Sequence, residues 1–135
     1  MARPASRYPT ELELEILKII WRDSPLSGRE IRDALSPGRE LAYTSVMTML
    51  KIMNQKKYLR RRKVTGGFVY APRVTEQDVA RGMLGDLVNR VFDGSALAVM
   101  LNLLETSDID QAELNELRKL INRKGTALEA KEQES

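Results

Sequence analysis

The chain has 135 residues, with 22 Lys and Arg against 19 Asp and Glu, and contains neither Cys nor His. Thiolate and imidazole chemistry, disulfides and the Cys or His ligand sets of zinc, haem and iron–sulfur centres are therefore excluded; no cofactor or metal is expected, and catalysis would have to come from carboxylates, Lys or Tyr. An apolar share of 42% can fill a core, and aromatics at 5% with six Met point to packed helices, hence a mainly α fold.

Residues 1–9 carry two Pro and no periodicity and read as a loose arm. Thr10 opens T-E-L-E, a capping box in which its hydroxyl accepts the Glu13 N–H while the Glu13 carboxylate reaches back, and Leu12, Ile16, Ile19 and Ile20 carry a first helix over 10–22. Ser27 starts a second capping box, S-G-R-E, before a short helix with Ile31, Ala34 and Leu35 that Ser36-Pro37-Gly38 ends. The third helix, about 43–57, has Val46, Leu50 and Met53 on one stripe and Thr44, Thr48, Lys51 and Gln55 on another. Hydroxyls, an amide and a cation in one row suit base edges or phosphates. Two short β-rich runs, 58–64 and 68–72, flank Thr65-Gly66-Gly67 and predict a hairpin. Three helices followed by a hairpin make a winged helix-turn-helix over 10–72.

The rest reads as helical. Thr75 caps a helix to about Phe92, Ser95 to Leu104 forms another, and Asp110 with Glu113 caps a last one to about 123. Their wide apolar faces, Leu84, Leu87, Val88, Val91 and Phe92, then Leu97, Met100 and Leu104, then Leu114, Leu117, Leu120 and Ile121, exceed what three short helices bury alone. Residues 73–123 are therefore expected to dimerise with a second copy, the alternative being that they pack on the first three helices. From 124 to 135 a polar, disordered tail is expected. No apolar run approaches the roughly 18 residues that span a bilayer, and the start lacks a signal-peptide core, so a cytoplasmic protein without membrane insertion is expected.

The charge is uneven. Residues 1–72 hold 14 Lys or Arg against 7 Asp or Glu, a net of +7, and residues 73–135 hold 8 against 12, a net of −4. No acid occurs between 41 and 75, where Lys51, Lys56, Lys57, Arg60, Arg61, Arg62 and Lys63 fall. Alone, the run could be a solvated surface or a localisation or lipid-binding tract; at the end of a third helix and along a wing it suits a duplex. Phosphate contacts are expected from Lys51, Lys56 and Arg60 to Arg62. A second possibility is a winged-helix interaction module whose basic face meets an acidic protein. An enzyme is disfavoured, since Glu11, Glu13 and Glu15 do not share a helical face and Asp108 with Asp110 is accounted for by capping.

The segments Thr10 to Trp21, S-P-L-S-G-R-E-I (Ser24 to Ile31), Y-T-S-V-M-T-M-L (Tyr43 to Leu50), F-V-Y-A-P (Phe68 to Pro72) and F-D-G-S (Phe92 to Ser95), in that order, resemble the BlaI/MecI family, the bacterial penicillinase repressors. The resemblance spans about residues 8–123. It implies a bacterial homodimer with an N-terminal winged helix and a C-terminal three-helix dimerisation domain, repressing from a palindromic double-stranded DNA operator. By position Tyr43, Thr44, Ser45, Thr48 and Lys51 fall on the family's recognition helix and Lys63 on its wing. Family wings carry an Arg beside the turn Gly, where this chain has Gly66-Gly67. Family induction by a sensor-linked protease cuts an Asn–Phe bond in the dimerisation helix; Asn102-Leu103 occupies that place and is the candidate cleavage bond, with Leu103 as an ordinary interface residue the competing reading. The family's copper-responsive branch uses a C-terminal Cys cluster, which this chain lacks.

Overall fold

The computed structural model describes residues 8–134, so most of the expected loose arm lies outside the described residues. Tyr8 and Pro9 are not loose: Pro9 is buried, and a ring carbon of Tyr8 lies 3.0 Å from where a Cβ on Gly82 would stand. Both capping boxes form. Thr10 Oγ1 accepts the Glu13 N–H at 3.3 Å and Glu13 Oε1 the Thr10 N–H at 2.9 Å, starting α1 (Glu11–Arg22). Ser27 and Glu30 exchange the same pair of bonds at 3.2 and 3.0 Å to start α2 (Gly28–Leu35).

Just before α2, Leu26–Ser27 form a two-residue strand, β1, which two residues without periodicity could not announce. Helix α3 covers Tyr43–Gln55, and the wing is β2 (Leu59–Val64) and β3 (Gly67–Pro72). Val64 pairs with Gly67, leaving Thr65 and Gly66 as the turn, and Gly66 takes φ 90° there. All pairing is antiparallel in the order β1-β3-β2. The apolar stripe of α3, Val46, Leu50 and Met53, is buried with Ile16, Leu17 and Ile20 of α1, Ile31 and Leu35 of α2, Leu59 and Tyr70. Trp21 closes the edge by donating its indole N–H to the Val74 carbonyl at 2.9 Å.

The remaining elements are α4 (Glu76–Val91), α5 (Ala96–Thr106) and α6 (Gln111–Glu134). Their expected caps are present: Thr75, Ser95 and Asp110 accept the N–H groups of Asp78, Ala98 and Glu113 at 3.0, 3.1 and 2.8 Å. Helix α4 ends in a left-handed pair, Asp93 at φ 52° and Gly94 at φ 82°. The chain divides into two compact units between Leu87 and Val88, inside α4 and later than residue 72 where the end of the wing suggested a boundary. The Trp21 bond to Val74 and the seating of Tyr8 beside Gly82 hold that stretch to the first unit.

The expected disordered tail is a correction. Helix α6 runs on to Glu134, because residues 124–134 are mostly Ala, Leu, Lys, Glu and Gln, strong helix formers that polarity alone does not unfold. Among the described residues no single helix is long and apolar enough to cross a membrane.

Candidate nucleic-acid interface

The outward face of α3 is polar and unobstructed. Thr44, Ser45, Thr48, Lys51 and Gln55 are all exposed. The Thr48 hydroxyl donates to the Thr44 carbonyl at 3.0 Å, which fixes its rotamer. Ala42 precedes the helix and offers no side-chain cap; the Ser45 N–H closes on the Ala42 carbonyl at 3.0 Å, and among the described residues no capping side chain engages the N–H groups of Tyr43 and Thr44. The approach of α2 to this helix depends on Gly28, where an added Cβ would stand 2.6 Å from Met47 Sδ and 3.6 Å from the Tyr43 ring. Tyr43 carries the Arg29 guanidinium 5.6 Å from its ring centre. Arg29 was not among the expected site residues. It sits in the first turn of α2, and nothing in its local sequence distinguishes it from a solvated helix cation.

The wing does not present its cations as one patch. Leu59, Arg61 and Lys63 alternate with Arg60, Arg62 and Val64 along β2, opposite Pro72, Tyr70 and Phe68 on one face and Ala71, Val69 and Gly67 on the other. Arg61 stacks on Phe68 at 4.6 Å. Burial raises the Tyr70 phenol above its ordinary range, Arg61 pulls it down and Tyr43 pushes it up, so Tyr43, Tyr70 and Arg61 share one electrostatic neighbourhood. Arg61 and Lys63 thus lie on the face that adjoins α3, while Arg60 and Arg62 line a shallow depression with Ser24, Pro25, Val69 and Ala71 on the far face. Arg60 to Arg62 therefore do not form one patch, because a strand sends neighbours to opposite sides.

Lys56 also departs from expectation. Its ammonium reaches both carboxylate oxygens of Glu13 at 3.0 Å, and Glu13 is 1% exposed. A buried carboxylate needs such a partner, so Lys56, whose side chain is 22% exposed, is held by Glu13 and is not a free cation. Arg39, in the turn before α3, is likewise bound to Glu15 at 2.6 Å, and that bond raises its pKa. Tyr58 is held above the ordinary phenol range by burial, then by Glu13, against Lys56. Glu11 and Glu15 share Arg39, at 3.9 and 2.6 Å, while Glu13 turns to Lys56, and among the described residues no three acids, His or Cys gather as a metal site. An open cavity of about 730 Å³ between α1, α2 and the start of α4 is lined by Glu15, Lys18, Trp21, Leu35 and Arg39 among others, and includes none of the exposed row of α3.

Helices α4, α5 and α6 bury none of their residues. Leu84, Leu87, Val91, Leu97, Met100, Leu104, Leu117, Leu120 and Ile121 are 40% to 68% exposed. Val88, Phe92 and Leu114 are half-buried. Leu103, the residue with two readings in the sequence, is 50% exposed, and Leu101 and Leu128 are exposed large apolar residues beyond those expected from the sequence. The Asn102-Leu103 bond lies inside α5, where the Asn102 carbonyl accepts the Thr106 hydroxyl at 2.7 Å.

A family model described as "Penicillinase repressor" matches residues 9–123. The chain belongs to the penicillinase repressor family. Within that family it is 30% identical to the penicillinase repressor of Bacillus licheniformis over 112 residues, 83% of this chain and 88% of that protein. It is 28% identical to the methicillin resistance regulatory protein MecI of Mammaliicoccus sciuri, over 83% of this chain and 91% of that one. A solution structure of the DNA binding domain of the repressor BlaI aligns with 51% of the chain and 84% of its own, at 32% identity and a TM-score of 0.47. The segments that carried the resemblance, from Thr10 to Ser95, all fall inside the penicillinase repressor match.

Proposed function

We propose that this member of the penicillinase repressor family is a transcriptional repressor that binds double-stranded DNA as a homodimer, acting in the cytoplasm on the chromosome. The observation that carries the reading is the exposed row Thr44, Ser45, Thr48 and Lys51 on α3, adjoined by Arg61 and Lys63 of the wing, in a stretch from 41 to 75 that contains no acid. Helix α3 enters a major groove with the hydroxyls near base edges and the cations near phosphates. The many exposed Leu, Ile, Val and Met side chains of α4 to α6 support pairing with a second copy, since a monomer would leave them in water. Two copies related by a two-fold axis require two half-sites, hence a palindromic operator, and occupancy of that operator excludes polymerase.

Relief by proteolysis at Asn102-Leu103 would require α5 to open first, because a protease needs extended backbone and the Asn102 carbonyl is engaged within the helix. Selection of bound duplexes from a fragmented genome, followed by salt titration, tests the DNA reading. About six neutralised phosphates give a slope of log K against log salt of about −5. A flat dependence, or displacement of duplex by an acidic protein at equal occupancy, favours the interaction module instead.

A further inference from the structure

We infer that Glu13 and Lys56 are positioning residues for α3, the hold of the buried Glu13 carboxylate on the half-buried Lys56 fixing the joint at which the base-facing helix ends and the wing begins. The inference rests on the duplex-binding reading above. Lys56 is the C-cap of α3, and by Leu59 the chain is already in β2. Between them the N–H groups of Lys56, Lys57 and Tyr58 close onto the carbonyls of Ile52, Asn54 and Met53 at 2.9, 3.1 and 3.0 Å, with Lys57 left-handed at φ 67°. The Arg73 N–H then ties the far end of the wing to the Tyr58 carbonyl at 2.8 Å.

At this joint the Lys56 ammonium is held by both oxygens of Glu13 at 3.0 Å and lies 5.8 Å from the centre of the Tyr58 ring. Glu13 is in turn fixed in the first turn of α1 by its capping bonds with Thr10. A helix that carries none of the outward row thus sets where that row stops, and with it the spacing of Lys51 on α3 from Arg61 on β2. A charge pair in low dielectric does this more sharply than apolar contact, because displacing either partner strands the other.

The test compares Glu13→Gln, Lys56→Met and the double variant with the unaltered chain, on the genome-selected duplex and on a random duplex of equal length, across salt. Loss of stability alone lowers the active fraction and scales both affinities equally, leaving their ratio unmoved. Displacement of α3 lowers the ratio by at least about fivefold, the lower end of what one base contact supplies. The expected result is that loss in all three variants, with an unchanged salt slope. A slope flatter by about 0.9 for Lys56→Met but not for Glu13→Gln makes Lys56 a phosphate contact and overturns the inference. The double variant buries no unpaired charge and reports in place of a single variant that does not fold; a ratio equal to that of the unaltered chain overturns the inference as well. If the unaltered chain binds no duplex at all, the DNA reading falls and this inference falls with it.

Discussion

Lys57→Gly should stabilise the winged-helix unit. Lys57 sits at φ 67°, where an L side chain crowds its own carbonyl and costs about 1 to 2 kcal/mol. Glycine removes that cost but has more freedom to lose on folding, which returns about 0.5 to 1 kcal/mol. At mid-range the difference is a gain of roughly 0.75 kcal/mol, or about 3 to 6 °C in Tm for a unit of this size. The three N–H bonds that close the helix are backbone bonds and survive the change. Trp21 is the sole tryptophan and lies in this unit, so its fluorescence through a thermal ramp reports the transition in the full chain. Removing a cation from an acid-free stretch could also stabilise, and Lys57→Ala isolates that effect, since it drops the charge and keeps the Cβ. The reasoning is refuted if alanine raises Tm as much as glycine does, or if glycine lowers it.

Three further outcomes are expected. Thr48→Ala should reduce discrimination between selected and random duplex, by about 5- to 150-fold for a base contact, whereas Lys51→Ala and Arg61→Ala should each weaken both about equally; equal losses for all three in a fluorescence titration would remove the assignment of direct readout. Leu117→Lys, at a side chain 40% exposed on α6, should give monomers in sedimentation velocity, and a chain that stays dimeric would move the interface elsewhere. Tyr58 and Tyr70 both have raised pKa values in the folded chain. The unfolded chain then loses its protons first, so stability is intact below about 10 and falls as pH rises through and above it; urea titrations that show no loss of stability in that range would contradict the burial of both phenols.

Local patterns were legible in proportion to how local their causes are. T-E-L-E and S-G-R-E were readable as caps because both partners of each bond lie three residues apart, and the stripe Val46, Leu50, Met53 was readable because helical spacing alone decides its face. The role of Lys56 was not legible, since its carboxylate lies 43 positions earlier, and a basic run gives no sign that one of its members turns inward. Period-two alternation contained the division of Arg60 and Arg62 from Arg61 and Lys63, yet which face adjoins α3 depends on the pairing register with Tyr70. Strand β1 exists only because β3 lies beside it. The end of α6 is hidden from a reading by polarity, because residues 124–134 are polar and yet mostly of types that favour helix.

The two faces of the wing carry equal charge, Arg61 with Lys63 on one and Arg60 with Arg62 on the other, but they differ in the freedom those charges retain. Arg61 already lies against Phe68, so part of the roughly 2 kcal/mol of rotamer entropy in an arginine side chain is given up before any partner arrives. Among the described residues Arg60 and Arg62 hold no ion pair and stack on no ring, and each would lose its freedom only on binding. Equal in Coulomb attraction, the faces are unequal in entropy: the α3 side is the pre-ordered one, suited to a fixed geometry, and the far side suits a diffuse, salt-sensitive hold.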